Sequence, residues 1–173
     1  MEFLDLMMIL LPSVVVFLTA FFILKKFLEA EYNLRKLDMR MKHAQTTLPI
    51  QLQAYERMIL LMERLTPNNL IFRTKQPGMS ATDLQVALLA EIRAEFDHNL
   101  SQQLYISQAG WEHVKQAKEE VIKLINISYS HLQNEDATAL ELSKVIFNNV
   151  ISIEAVPTQK ALDHLKREAQ KLF

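Results

Sequence analysis

The sequence predicts an all-α protein, with an N-terminal transmembrane helix that continues into a short coiled-coil-like stalk, followed by a helical bundle. Three observations lead to this fold class. A long uncharged segment lies near the start of the chain, and the rest carries apolar residues at helical spacing. The 173 residues include 2 Gly, 5 Pro and no Cys, so the chain lacks the turn residues that a many-stranded fold needs. We expect about four to five helices in the bundle.

The first element, residues 1–26, is predicted to be a transmembrane anchor. Leu6 to Leu24 carries no charge and is followed at once by Lys25 and Lys26. As a helix this segment is about 28 Å long, close to the roughly 30 Å hydrocarbon core of a bilayer. A cleaved signal peptide is the alternative, but no Lys or Arg precedes the apolar segment and no small-residue cleavage site follows it. We therefore expect an anchor that is retained.

Basic residues follow the apolar segment and predict its orientation. Because Lys and Arg collect on the cytoplasmic side, we expect the N-terminus outside and the C-terminal body in the cytoplasm. The same cluster favours contact with anionic lipid headgroups, and a plain solvated charge pattern is the alternative. The membrane-surface candidates are Lys25, Lys26, Arg35, Lys36, Arg40 and Lys42.

Residues 27–45 have the spacing of a two-heptad stalk. Apolar residues recur at alternating steps of three and four, which is the a/d pattern of a coiled coil. Self-association through this seam is one expectation, and packing of the stripe on the chain's own body is the other. The seam consists of Phe27, Ala30, Leu34, Leu37, Met41 and Ala44, of which Phe27, Leu34, Leu37 and Met41 are the candidates for protein contact.

Residues 46–173 are predicted to form the cytoplasmic bundle. Pro49 indicates a break, after which an apolar stripe predicts a helix that ends near Thr66. Residues 66–82 hold Pro67 and the Pro77-Gly78 turn, so we expect a linker and hinge there.

Each of the four remaining helices is predicted by a signal at its start. Ser80 with Asp83 predicts the start of a long helix that reaches about Ile106. Ser107 is the expected cap of the next helix, which the Asn134 to Asp136 cluster ends.

The Thr138 and Glu141 pair has the spacing of a capping box and opens a helix that we expect to reach about Ile153. Pro157 is expected to start the last helix, whose charged face should point outward.

A stretch from Glu95 to Gln103, which we place inside the long helix, has hydrogen-bonding side chains at seven of its nine residues. Glu95 and His98 form an E-x-x-H pair, as in carboxylate-bridged metal sites, but such sites need a second copy, which this sequence lacks. Acid–base catalysis by the same pair is a further alternative. We favour polar docking of a protein partner, because amides often bridge helices at interfaces. The docking candidates are His98, Asn99, Gln102 and Gln103.

Several function classes lack their required residues. The sequence has no phosphate-binding glycine loop, no G-x-S-x-G and no H-E-x-x-H motif. The basic residues cluster beside the predicted membrane segment, so a nucleic-acid partner is not expected. We assign no catalytic residue, no cofactor and no small-molecule substrate.

The run from Glu95 to Ser107, followed by Trp111, resembles an uncharacterised family of single-span helical membrane proteins from Bacteroidota. The similarity extends over most of the chain. It implies a bacterial inner (cytoplasmic) membrane location and this architecture, and it implies no activity.

The sequence thus predicts a membrane-anchored cytoplasmic helical module for protein interaction, as a scaffold, an accessory subunit or a homo-oligomer. A metal-binding or acid–base enzyme centred on Glu95 and His98 is the alternative from another class. A sensor of anionic lipid surfaces through the basic stalk is the third hypothesis.

Overall fold

The computed structural model describes residues 2–132, 134, 136–153 and 156–172, and this part of the chain is helical without a β-strand. The predicted all-α class is confirmed. Two short 3-10 helices lie at Leu100–Leu104 and Gln170–Leu172. The α-helices are α1 (Glu2–Arg64), α2 (Pro67–Thr74), α3 (Ala81–His98), α4 (Gln108–Ser130), α5 (Ala139–Ser152) and α6 (Pro157–Ala169).

The chain divides into two compact units, Met1–Thr47 and Leu48–Phe173. The first unit is helical throughout its described residues. From Leu10 onward α1 is long and apolar enough to cross a membrane, with a mean hydropathy of 1.9 in its most apolar window and none of that window buried. An apolar window of this kind near an N-terminus also occurs in signal sequences. The side chains of Leu6 and Ala44 lie outside the description.

The expected helix break at Pro49 is wrong, because α1 runs through this residue without interruption. Proline removes one backbone hydrogen bond and crowds the preceding turn. Pro49 and Ile50 are exposed, so water can satisfy the carbonyl that loses its partner. An exposed proline therefore perturbs α1 without ending it.

The second unit is built around one apolar core. Helix α4 packs against α3, α5 and α6, and α3 also packs against α5. Every described α-helix of this unit, including the end of α1, contributes fully buried side chains. The largest are Met58, Leu61, Met62, Leu65, Leu70, Leu84, Leu88, Ile92, Ile125, Leu142, Ile146 and Leu162.

The expected linker at residues 66–82 contains the helix α2, which packs against α3 and α5. Pro67 occupies the first turn, where its missing N–H has no partner to lose. Leu70 and Ile71 are buried, which explains why this short helix forms. The expected Pro77-Gly78 turn follows this helix, and Gly78 has a positive φ of 82°, a conformation that favours glycine.

Helix α3 ends at His98, and its predicted extension to Ile106 is wrong. The side chain of Asn99 donates a hydrogen bond to the carbonyl of Glu95, at 2.9 Å from Nδ2 to O. Asn competes with helical hydrogen bonding in this way, and the chain then tightens into the 3-10 helix. The polar run is therefore a helix end followed by a turn.

The predicted N-terminal caps are confirmed. Ser80 and Thr138 each form a complete capping box, and Ser107 accepts a hydrogen bond from the backbone N–H of Gly110.

The two capping boxes lie side by side, because the backbone pairs there as an isolated antiparallel bridge. The N–H of Ala81 donates to the carbonyl of Ala137 at 2.8 Å, and the N–H of Ala139 donates to that of Met79 at 3.1 Å. Helices α3 and α5 thus start from one joined point.

Candidate functional site

The apolar candidates on the first unit are solvent-exposed. Phe27, Leu34, Leu37 and Met41 are each more than half exposed in the single chain. Nothing within their own unit covers this seam, so it remains a candidate surface for a second copy or another partner. The coiled coil itself stays a prediction.

The basic candidates of the same unit are exposed as well. Lys26 lies 3.5 Å from Glu29, and Arg35 lies 2.5 Å from Glu31. Both pairs are one helical turn apart and solvated, so they contribute a few tenths of a kcal/mol at most. The other membrane-surface candidates are Lys25, Lys36, Arg40 and Lys42. Together with these residues, the two ion pairs leave the surface of this unit with a net positive charge.

In the second unit, two of the four polar candidates, His98 and Asn99, line a groove between the end of α1 and α3. This groove has a volume of about 590 Å³, and Gln102 and Gln103 are not among its lining residues. Arg57 and Arg64 line the α1 side, and Glu91 lines the α3 side. The groove is open, and Leu60, Leu61 and Ala94 line it beside the charged groups, so it combines apolar with polar surface as protein interfaces do.

The carboxylate of Glu95, which also lines the groove, is bound by arginine side chains. Arg64 donates through Nε at 2.7 Å and through Nη2 to the same Glu95 oxygen. Arg73 lies 3.4 Å from that oxygen and 3.0 Å from Glu91. Only 13% of the Glu95 side chain is exposed, and its carboxylate lies between the guanidinium groups of Arg64 and Arg73. A metal ion bound by Glu95 and His98 would have to displace these guanidinium groups.

No cluster of three or more potential metal ligands occurs among the residues that were placed. The E-x-x-H spacing brings His98 and Glu95 onto one face, yet the groups that bind Glu95 are the guanidinium groups of Arg64 and Arg73. The metal and acid–base alternatives stay hypotheses, and each requires that these arginines leave the Glu95 carboxylate.

The four docking candidates have different surroundings. His98 and Gln103 are exposed, and Gln102 is half-buried. Asn99 is buried, and its side chain serves the end of α3. Leu100 and Leu104 are exposed on the 3-10 helix that follows Asn99. His98 and Gln103 are thus the members of this set that remain available to a partner.

Sequence reasoning missed a second polar cluster, centred on Glu168 of α6. Its carboxylate accepts hydrogen bonds from the hydroxyls of Tyr55, at 3.1 Å, and Ser107, at 2.6 Å. His164 Nε2 lies 3.1 Å from the same carboxylate, and the His164 ring lies 4.1 Å from that of His113. These contacts connect α1, α4 and α6. Glu168 itself is partly buried, whereas Lys160, Asp163, Lys166 and Arg167 of the same helix are exposed, as expected for its charged outer face.

The cluster shifts the titration of two of its groups. Burial by itself raises the pKa of Glu168, but the hydrogen bonds from Ser107 and Tyr55 and the nearby His164 outweigh it and lower the pKa. Burial, followed by the charge of Glu168, raises the pKa of Tyr55. Glu168 is therefore held as a carboxylate and Tyr55 as a neutral phenol, which is the arrangement of a structural hydrogen-bond network.

Gly110 allows α4 to approach this cluster closely. A Cβ at this position would lie 2.8 Å from Glu168 Oε2 and 3.2 Å from Ser107 Oγ. We expect Gly110→Ala to destabilise the fold by about 1 kcal/mol, because overpacking costs about 1–3 kcal/mol while better helix propensity returns about 1. Urea denaturation of the full chain in mild detergent measures this difference.

Ala109→Gly is the matched control, since it changes the exposed neighbour in the opposite direction. It should cost no more than the propensity difference of about 1 kcal/mol. A Gly110→Ala variant more stable than the wild type would show that the Glu168 carboxylate moves without cost.

These features define a helical protein with an apolar N-terminal helix and a compact helical body. A model of the DUF7935 family, a family of unknown function, matches residues 1–172, and the chain belongs to this family. The expectation of an uncharacterised family is thereby confirmed. No curated protein and no solved structure shows significant similarity to the chain.

Proposed function

We propose that this protein is a membrane-anchored helical module that binds another protein, as a scaffold or an accessory subunit of a bacterial inner-membrane complex. One observation carries the proposal. The described side chains from Met7 to Leu24 are exposed and include no charge. Exposure of each large apolar side chain to water forgoes about 1.5–3 kcal/mol of burial energy, which the hydrocarbon core of a bilayer supplies.

The basic residues that follow support a cytoplasmic body. Six of them lie between Lys25 and Lys42, within the distance over which positive charge orients a membrane helix. They also place positive charge where anionic headgroups attract it, at about 1 kcal/mol per side chain. In this proposal the lipid contact positions the protein, and the body carries the interaction.

The groove at His98 is the interaction site we favour within the body. It combines an open volume of about 590 Å³ with arginine, carboxylate and amide groups in its lining. The ion pairs of Glu95 hold the groove in shape, since Glu95 joins Arg64 on α1 to Arg73 on α2. The charged and amide groups of this mixed surface suit recognition by hydrogen bonds and charge.

Membrane anchoring can be tested with charges placed in the apolar segment. We expect the wild-type protein to stay in the membrane fraction during alkaline carbonate extraction. A Val15→Arg and Val16→Arg double variant should be released or degraded, because each Arg at the centre of a span costs about 2.5–3.5 kcal/mol. Met39→Arg, beyond the apolar segment, is the control that should remain bound. Extraction of the wild-type protein would reject the anchor.

Protein binding is tested separately in the native membrane. A photo-cross-linking amino acid at His98 should give a stoichiometric protein adduct, whereas the same probe at the exposed Glu119 of α4 should not. Equal yields at the two positions, or adducts with lipid alone, would contradict a docking role for the groove.

A further inference from the structure

A second groove, between α2 and α5, has a different character from the one at His98. It has a volume of about 410 Å³ and is lined mainly by apolar side chains. Phe72 stands at its edge with 90% of its surface exposed, and Leu140 is 52% exposed. Large apolar side chains that are exposed around a concave surface mark binding sites.

The apolar surface continues along α5 with helical spacing. Leu140, Phe147 and Ile151 lie at steps of seven and four residues, so they share one face of the helix. Ile151 is 82% exposed, and Phe147 is half-buried beside the core. The stripe is about 17 Å long at 1.5 Å per residue, which corresponds to three helical turns.

The charge at this groove has one sign. Lys75 and Lys144 line it, and no carboxylate is among its described lining residues. Neither lysine takes part in an ion pair within the placed part of the chain. The nearby Glu141 has its carboxylate bound by the N–H and hydroxyl of Thr138, at 2.7 and 2.9 Å. Acidic groups of a partner would therefore find two available cations.

We propose that the groove between α2 and α5 binds an amphipathic helix of a partner protein, with apolar residues at helical spacing and Asp or Glu beside them. Phe72 and the α5 stripe contact the apolar face, and Lys75 and Lys144 pair with the acids. A concave apolar groove with a three-turn stripe matches the way amphipathic helices are bound. The lysines select acidic helices over basic ones.

This proposal rests on the proposed interaction function and specifies the partner's chemistry. The test uses the full chain in detergent and a display library of helical 14-residue peptides with randomised charges and apolar positions. Enriched peptides should carry apolar residues at i, i+4 and i+7 together with Asp or Glu. Phe72→Ala should weaken their binding about tenfold or more, as removal of an aromatic anchor does.

Charge reversal gives an independent readout that does not depend on loss of packing. Lys144→Glu should weaken the acidic peptides, and exchange of their facing acid for Lys should restore binding. Val86→Ala, at an exposed apolar residue of α3, is the matched control and should leave binding unchanged. Anisotropy titration of labelled peptides measures each affinity.

Three results would overturn the proposal: enrichment of neutral or basic peptides, binding insensitive to Phe72→Ala, or no enrichment. Cross-linking of Phe147 to a second copy of the chain, or to lipid in anionic vesicles, would assign the groove to those occupants instead. A failure here combined with a protein adduct at His98 would leave the proposed interaction function in place. Loss of the adduct at His98 as well would reject both.

Discussion

Replacement of Trp111 by Ala is expected to destabilise the body by about 3–5 kcal/mol, the range for removal of a large aromatic side chain from a core. Trp111 is buried and stacks on Phe96, with ring centroids 5.2 Å apart. The ammonium group of Lys118 lies 4.4 Å from the centroid of the Phe96 ring. The substitution removes the contact of α4 with α3 at this point and leaves a cavity. Far-UV circular dichroism during urea denaturation of the full chain measures the loss.

Phe72→Ala is the matched control for this experiment. It also removes an aromatic side chain, but one that is 90% exposed, so the free energy of unfolding should change by no more than about 0.5 kcal/mol. Similar losses for the two variants would show that Trp111 does not stabilise the fold through burial.

Glu168→Ala is expected to cost about 3 kcal/mol, although α6 is a surface helix. The substitution leaves the Tyr55 and Ser107 hydroxyls without their acceptor, and hydrogen bonds to charged groups each contribute about 1.5–3 kcal/mol. Glu112→Gln is the control, since Glu112 is exposed and pairs with Lys115 at 2.8 Å on the surface. It should cost at most about 1 kcal/mol. The fluorescence of Trp111 reports both transitions, because it is the single tryptophan of the chain.

The contribution of Glu168 should depend on pH in a defined direction. Its pKa is lowered in the folded chain, so the carboxylate stabilises the fold above the unfolded-state pKa. The advantage of the wild type over Glu168→Gln should therefore be full at neutral pH and diminish as the pH falls through the folded-state pKa. A difference that is constant across the acid range would show that the charge of Glu168 plays no part.

The helix starts were predictable because their signals are local. Ser80 with Asp83 and Thr138 with Glu141 satisfy backbone donors within one turn, so a few residues determine the geometry. The start of α6 follows in the same way from Pro157. Such signals are readable from the sequence without knowledge of the tertiary structure.

The helix ends were less predictable because they depend on competition. At Asn99 the side chain forms a hydrogen bond with the backbone and the α-helix ends, although the sequence predicts helix to about Ile106. At Pro49 the opposite occurs, since helix on both sides outweighs one lost hydrogen bond. The balance in each case is about one hydrogen bond, which a pattern of residue types does not resolve.

The candidate sites were likewise predictable where the signal was local and unpredictable where it depended on contacts between helices. The sequence identified His98 as a polar surface residue, but it could not show that Arg64 and Arg73 converge on Glu95 from other helices. The Glu168 cluster joins residues far apart in the chain, and its one early sign was the hydroxyl of Tyr55 within an apolar stripe. A buried tyrosine needs a hydrogen-bond partner, which indicates that a partner exists without naming it.

The backbone bridge between Met79 and Ala139 has a consequence for biosynthesis. Helix α3 leaves the ribosome well before the residues that complete its starting point, so its first turn depends on the Ser80 box alone until α5 has been made. The closure of this long loop adds an entropic cost that grows only slowly with loop length. The nascent body therefore reaches its final packing late in synthesis, after α1 to α4 have already been made.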